Sequence, residues 1–159
     1  MIRIEGDKII LRSVDISDID TILLWENSSS EPLYGVFEEQ YTREDVEQFV
    51  ERQQHYSIAE TEQLRLMICT PSGERLGAID LCDFDGCSAT LSIIIVNETH
   101  RGMGYGGEAL RLAVDYARLL GISTLRAEVM SENKISRQMF ISAGFENIEG
   151  NNFELQLSR

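Results

Sequence analysis

The chain has 159 residues, of which 43% are hydrophobic and 26% charged, and its formal net charge is −13. That is the size and composition of one soluble globular domain, residues 1–159, built around a single core. The charge excludes nucleic acid and anionic membrane as partners, because phosphate surfaces need basic ones, and it leaves room for a cationic small molecule or peptide.

The first residues are interrupted by Arg3, Glu5, Asp7 and Lys8, so no apolar stretch of signal-peptide length precedes the first element. No later run is long enough to span a bilayer, and the expected location is cytoplasmic. Residues 8–13 alternate as a strand. Asp15 or Ser17 caps a helix to about Asn27, with Ile16, Ile19, Ile22, Leu23 and Trp25 on it. Residues 28–40 read as a loop, and Thr42 caps a second helix to about Tyr56 whose Val46, Phe49 and Val50 recur at helical spacing. A hairpin meander follows: Leu64–Cys69, the turn Pro71-Ser72-Gly73, residues 75–81, the turn 83–86 and residues 88–96. Asp83-Phe84-Asp85-Gly86 imitates the start of a calcium loop, but the twelfth position is Ile94 where that loop needs a glutamate, so it reads as a turn.

The second half opens on a glycine cluster at 102–107 and continues as a helix over 108–120, stopped by Gly121. Residues 124–129 form a β-branched strand. The next helix, 133–143, is expected to turn Ile135, Met139, Phe140 and Ala143 inward and to end at Gly144, and 145–148 and 153–157 close the chain as strands. Cys69, Cys82 and Cys87 lack metal or redox spacing, and the histidines are only His55 and His100, so no metal centre is expected.

The chemistry concentrates at Arg101-Gly102-Met103-Gly104-Tyr105-Gly106-Gly107. A strand feeds this loop and the loop opens a helix, whose first amides lack intrahelical acceptors and carry partial positive charge. Glycines let a ligand approach the backbone, so the segment is a phosphate cradle. Gly102, Gly104 and Gly107 satisfy G-x-G-x-x-G, the dinucleotide fingerprint; Arg101, Gly104 and Gly106 satisfy R-x-x-G-x-G. The first pattern belongs after the opening strand of a sheet with several β-α-β units. Here it follows a meander, and only one such crossover is legible, so NAD is the minor alternative.

The second pattern resembles the coenzyme A loop of the GNAT superfamily of N-acetyltransferases. Asn133, Ser136, Met139-Phe140 and Gly144-Phe145 resemble that family's next motif, N-x-x-[SA]-x-x-[LM]-[YF]-x-x-x-G-F. Leu11-Arg12 and the helix with Trp25-Glu26-Asn27 are similar to the branch of ribosomal-protein N-terminal and spermidine acetyltransferases. The resemblance covers nearly the whole chain. It implies a mixed α/β fold: a central, mostly antiparallel sheet with two splayed parallel strands, flanked by helices.

The resemblance further implies acetyl-CoA as donor and a primary amine, possibly cationic, as acceptor, in a monomer or homodimer. The pantetheine arm would pair with backbone at Ile94, Ile95 and Val96, and the diphosphate would lie on Arg101, Gly102, Met103, Gly104, Tyr105, Gly106 and Gly107. Asn133 would touch pantetheine and Arg137 a phosphate. Glu128 would be the base, with Glu26 and Asn27 contacting the acceptor. A base matters for a lysine-like amine, whose deprotonation at neutral pH costs about 4.6 kcal/mol, and little for an α-amine, at about 1 kcal/mol. Many relatives place a tyrosine where this chain has Phe140, so no phenol there can protonate the leaving thiolate. An acyl-CoA-binding protein without transferase activity remains the alternative. The acids Glu38, Glu39, Glu44, Asp45, Glu47, Glu51, Glu60 and Glu62, set against Arg43 and Arg52, would border the acceptor entrance and attract a cation.

Overall fold

The computed structural model describes residues 1–28, 41–96 and 102–157. Eight strands form one sheet: β1 (Arg3–Glu5), β2 (Ile10–Ser13), β3 (Leu64–Cys69), β4 (Arg75–Cys82), β5 (Ser88–Ile95), β6 (Thr124–Glu128), β7 (Glu146–Glu149) and β8 (Asn152–Gln156). The spatial order is β1-β2-β3-β4-β5-β6-β8-β7, and only β5 with β6 pairs in parallel. The helices are α1 (Ile19–Ser28), α2 (Arg43–His55), α3 (Ile58–Thr61), α4 (Tyr105–Leu119) and α5 (Lys134–Ser142), with a 3-10 turn at Ile16–Asp18 ahead of α1.

The alternation of the strands sorts the core into two layers. Leu66, Ile68, Ile79, Leu91, Leu125 and Phe153 face α4 and α5, where Ala109, Leu110, Ala113, Ala117 and Phe140 meet them. Met67 and Cys69 face the other way, against Ile19, Ile22, Val46 and Val50 of α1 and α2. Both N-terminal helical segments begin as the sequence requires. Asp15 accepts the Ser17 N–H while Asp18 accepts the Asp15 N–H, and Thr42 and Asp45 form the reciprocal box on α2.

Several expectations need correction. Helix α4 starts at Tyr105, so two of the glycines expected in the loop lie in its first turn. Ile135 is 83% exposed and Ile16 70%, so neither joins the core, whereas Met139, Phe140 and Ala143 turn inward as expected. Strand β1 and the single turn α3 lie outside the expected pattern. The turn at 83–86 is held by Asp85, which accepts N–H bonds from Cys87 and Ser88 and the Ser88 hydroxyl. Those bonds keep its carboxyl below the usual range.

Candidate active site

The site is built where the β5–β6 ladder opens. Its pairs are Ser88 with Thr124, Ala89 with Leu125 and Thr90 with Arg126, and there it ends, although β5 runs on to Ile95 and β6 to Glu128. On its other edge β5 stays paired with β4 through Gly77–Ile95, and the Val96 N–H donates to the Leu76 carbonyl at 2.9 Å. Gly77 permits this approach, since a Cβ there would fall 1.9 Å from the Ile94 carbonyl oxygen. Of the residues expected to pair with pantetheine, Ile94 and Ile95 lie along the opened stretch, whereas the Val96 amide is already committed to the sheet.

The glycine loop leads from this gap into α4. Gly102 and Gly104 have φ of +80° and +83°, the left-handed region that a side chain would strain. A Cβ on Gly106 would meet the Met139 sulfur at 3.1 Å, so the two sequence motifs pack against each other there. The amides of Gly104, Gly106 and Gly107 find no acceptor among the described residues. They form the exposed positive end of a fifteen-residue helix whose N-cap, Gly104, offers no side chain. Arg101 lies outside the described residues.

Around the gap the sequence-derived candidates separate. Glu128 is exposed past the last β5–β6 pair, on the face that Arg126 shares. Asn133 caps α5, accepting the Ser136 N–H at 3.2 Å. Arg137 donates to the Val129 carbonyl at 3.0 Å and stacks over the Phe153 ring at 4.9 Å, so it secures the end of β6. Phe140 is buried edge-on to Phe145 with centroids 5.0 Å apart. Asn27 accepts the Tyr41 N–H and donates to the Tyr41 carbonyl, both at 2.9 Å, which joins the chain across 29–40.

On the α1–α2 face lies a group the sequence showed only through Glu26. Arg65 on β3 donates to Asp80 on β4 at 3.0 and 3.2 Å, lies over the Phe49 ring at 4.8 Å, and has Glu26 Oε1 3.6 Å away. Gln63 donates a further bond to Asp80. Glu26, Arg65 and Asp80 are all buried, so two carboxylates share one guanidinium. Among the described residues Glu26 Oε2 has no hydrogen-bond partner. Burial, set against the pull of Arg65, raises the Glu26 carboxyl above its ordinary range. Asp80 stands opposite Ser92 on β5, so Arg65, Asp80 and Ser92 form a row that leads to the opened ladder.

The chain is similar to known proteins in sequence family and in fold. The model of the Acetyltransferase (GNAT) domain matches residues 8–146. No curated protein matches the sequence. Among solved structures, a spermidine N-acetyltransferase from Vibrio cholerae in complex with CoA and spermine aligns with a TM-score of 0.76 and 20% identity, covering 95% of this chain and 96% of that one. A GNAT-family acetyltransferase from Bacillus anthracis aligns at 0.74 and 15%, covering 98% of each chain. A Vibrio cholerae protein assigned as a ribosomal-protein-serine acetyltransferase aligns at 0.73 and 17%, again over 98% of each. At these identities the likeness to the three is one of fold. With the family model spanning most of the chain, the chain belongs to the GNAT acetyltransferase domain family and is an N-acetyltransferase.

Proposed function

We propose that the protein transfers the acetyl group of acetyl-CoA to a primary amine carrying a further positive charge, a polyamine or a basic N-terminal peptide. The observation that carries this reading is the coincidence of an opened parallel ladder with unclaimed helix-end amides. The residues fit the donor. Gly104, Gly106 and Gly107 would hold its diphosphate, and the edge of β5 at Ile94, beyond its last pair with β6, would take the pantetheine amides as an extra strand. Asn133, the N-cap of α5, would touch the pantetheine.

The amine nitrogen attacks the thioester carbonyl carbon and the carbon–sulfur bond breaks. Glu128 takes the proton the amine loses. With Phe140 in the apolar core, the leaving thiolate gains its proton from solvent, which a thiol of pKa about 8.5 permits. The second charge of the acceptor would be met by Glu26, whose free oxygen sits in a buried group with one carboxylate in excess. The fold of the Vibrio cholerae enzyme crystallised with spermine is consistent with such an acceptor. Three free cysteines, Cys87 exposed among them, suit a reducing compartment such as the cytoplasm.

Glu128→Gln tests the proton transfer. Turnover at about pH 7 should fall by about 10²-fold or more, and the defect should shrink as pH rises and free amine becomes abundant. A defect that stays constant with pH, or no defect, would return Glu128 to the solvated strand face.

A further inference from the structure

The tip of the β1–β2 hairpin, Gly6-Asp7-Lys8, is docked on the start of α4 by a reciprocal clasp. Glu108, buried in the first turn of α4, accepts the Lys8 N–H at 2.8 Å and the Ile9 N–H at 3.1 Å through one carboxylate oxygen. Gly6 lies against that oxygen so closely that a Cβ would fall 2.2 Å from it. In return the exposed Lys8 ammonium donates to the Met103 carbonyl at 3.2 Å, inside the glycine loop.

This contact sets the direction of a loop amide. The Met103–Gly104 peptide is trans, so its N–H points opposite to its carbonyl. A carbonyl held toward the hairpin therefore turns the Gly104 N–H away from it, and that N–H has no acceptor among the described residues. The ammonium has three donors and Met103 uses one. Its nitrogen would lie 3.1 Å from a Cβ on Gly104, so the charge sits beside the residue whose left-handed φ forms the cradle. In a chain of net charge −13, a diphosphate needs cations held at the loop itself.

We infer that Lys8, on the N-terminal hairpin, is part of the diphosphate site: it fixes the Met103–Gly104 peptide with its N–H outward and adds a unit charge beside the bound phosphates. Glu108 and Gly6 hold the hairpin in register for this task. The inference rests on the reading that the glycine loop binds the diphosphate of coenzyme A.

Calorimetry with coenzyme A and with pantetheine, which lacks the diphosphate, separates the outcomes. Lys8→Met is expected to weaken coenzyme A binding about tenfold or more, leave pantetheine affinity unchanged, and be largely rescued in Lys8→Arg. Unchanged coenzyme A affinity in Lys8→Met overturns the inference. So does an equal loss for both ligands, which would mark Lys8 as merely structural. A wild-type protein that binds pantetheine and coenzyme A equally well, or neither, would instead refute the loop as a diphosphate site.

Discussion

Gly104 joins a left-handed backbone to a close charged neighbour. Its φ of +83° costs a side chain backbone strain, and the Lys8 nitrogen leaves a Cβ only 3.1 Å. Gly104→Val should misplace two loop amides and weaken coenzyme A binding at least about a hundredfold, since bonds to charged groups are each worth roughly 1.5–3 kcal/mol. The circular dichroism spectrum should stay that of the wild type. Calorimetry reads the first effect, and an unchanged affinity would remove the loop from the site. Glu26 makes the opposite kind of demand. Burial raises its folded pKa above the unfolded value, so the protonated form is favoured: the stability this gives is fully present below the unfolded pKa and is lost as pH rises through the folded one. Ionising Glu26 therefore costs stability relative to its protonated form. Glu26→Gln should melt higher than the wild type at about pH 7, with a smaller difference near about pH 4. At the same time it should raise the Michaelis constant for a diamine more than for a monoamine. A lower melting temperature with no change in either constant would make Glu26 simply a partner of Arg65.

Among the elements, the end of β6 and the start of α1 are each held by arginine contacts. Arg137 joins α5 to the Val129 carbonyl and covers Phe153. Arg137→Met should cost about 1–2 kcal/mol of stability by chemical denaturation, the sum of one hydrogen bond and one ring contact, with coenzyme A affinity within about twofold of wild type. A tenfold weaker affinity would give Arg137 the phosphate contact that the family motif implies. At the other end Asp18, fully buried, accepts bonds from Arg12 at 2.8 and 2.7 Å, from Arg75 at 2.6 Å and from the Asp15 N–H at 2.9 Å. Burial alone would raise its carboxyl, but these bonds outweigh burial and hold it low. A depressed folded pKa gives stability that is present above the unfolded value of about 3.9 and lost as pH falls through the folded one. Asp18→Asn should lose roughly 3 kcal/mol, the lower end for a broken buried pair because both arginines keep some exposure. The loss, followed by thermal melts across acid pH, should shrink as the wild type is acidified. A loss that is independent of pH would mean that the hydrogen-bond geometry, and not the charge, is what matters there.

Over the whole molecule, what the sequence revealed follows the range of the interaction. The Leu64–Cys69 strand and the α2 start at Thr42 were legible because alternation and a capping box are local patterns. The glycine loop and α5 were legible because their residue types answer local backbone needs. Ile135 lies outside the core, since the α5 segment docks through Met139, Phe140 and Ala143 and helical spacing alone does not say which side meets the sheet. Strand β1 is three residues at the sheet edge with no apolar signature of its own. The start of α4 was set late because glycine has poor helix propensity and tertiary contact with Met139 overrides it. Arg65 and Asp80, fifteen residues apart, and Lys8 and Met103, ninety-five apart, meet only through the sheet, so no local pattern could announce them. The catalytic account draws on both kinds of information, with the donor side read from local motifs and the acceptor side from long-range charge placement. Its most direct test is release of free coenzyme A from acetyl-CoA across a panel of monoamines, polyamines, amino acids and N-terminal peptides. The account predicts turnover, with acceptors bearing a second positive charge preferred over monoamines of equal reactivity and their Michaelis constants rising with salt; binding of acetyl-CoA with no coenzyme A release from any amine would contradict it.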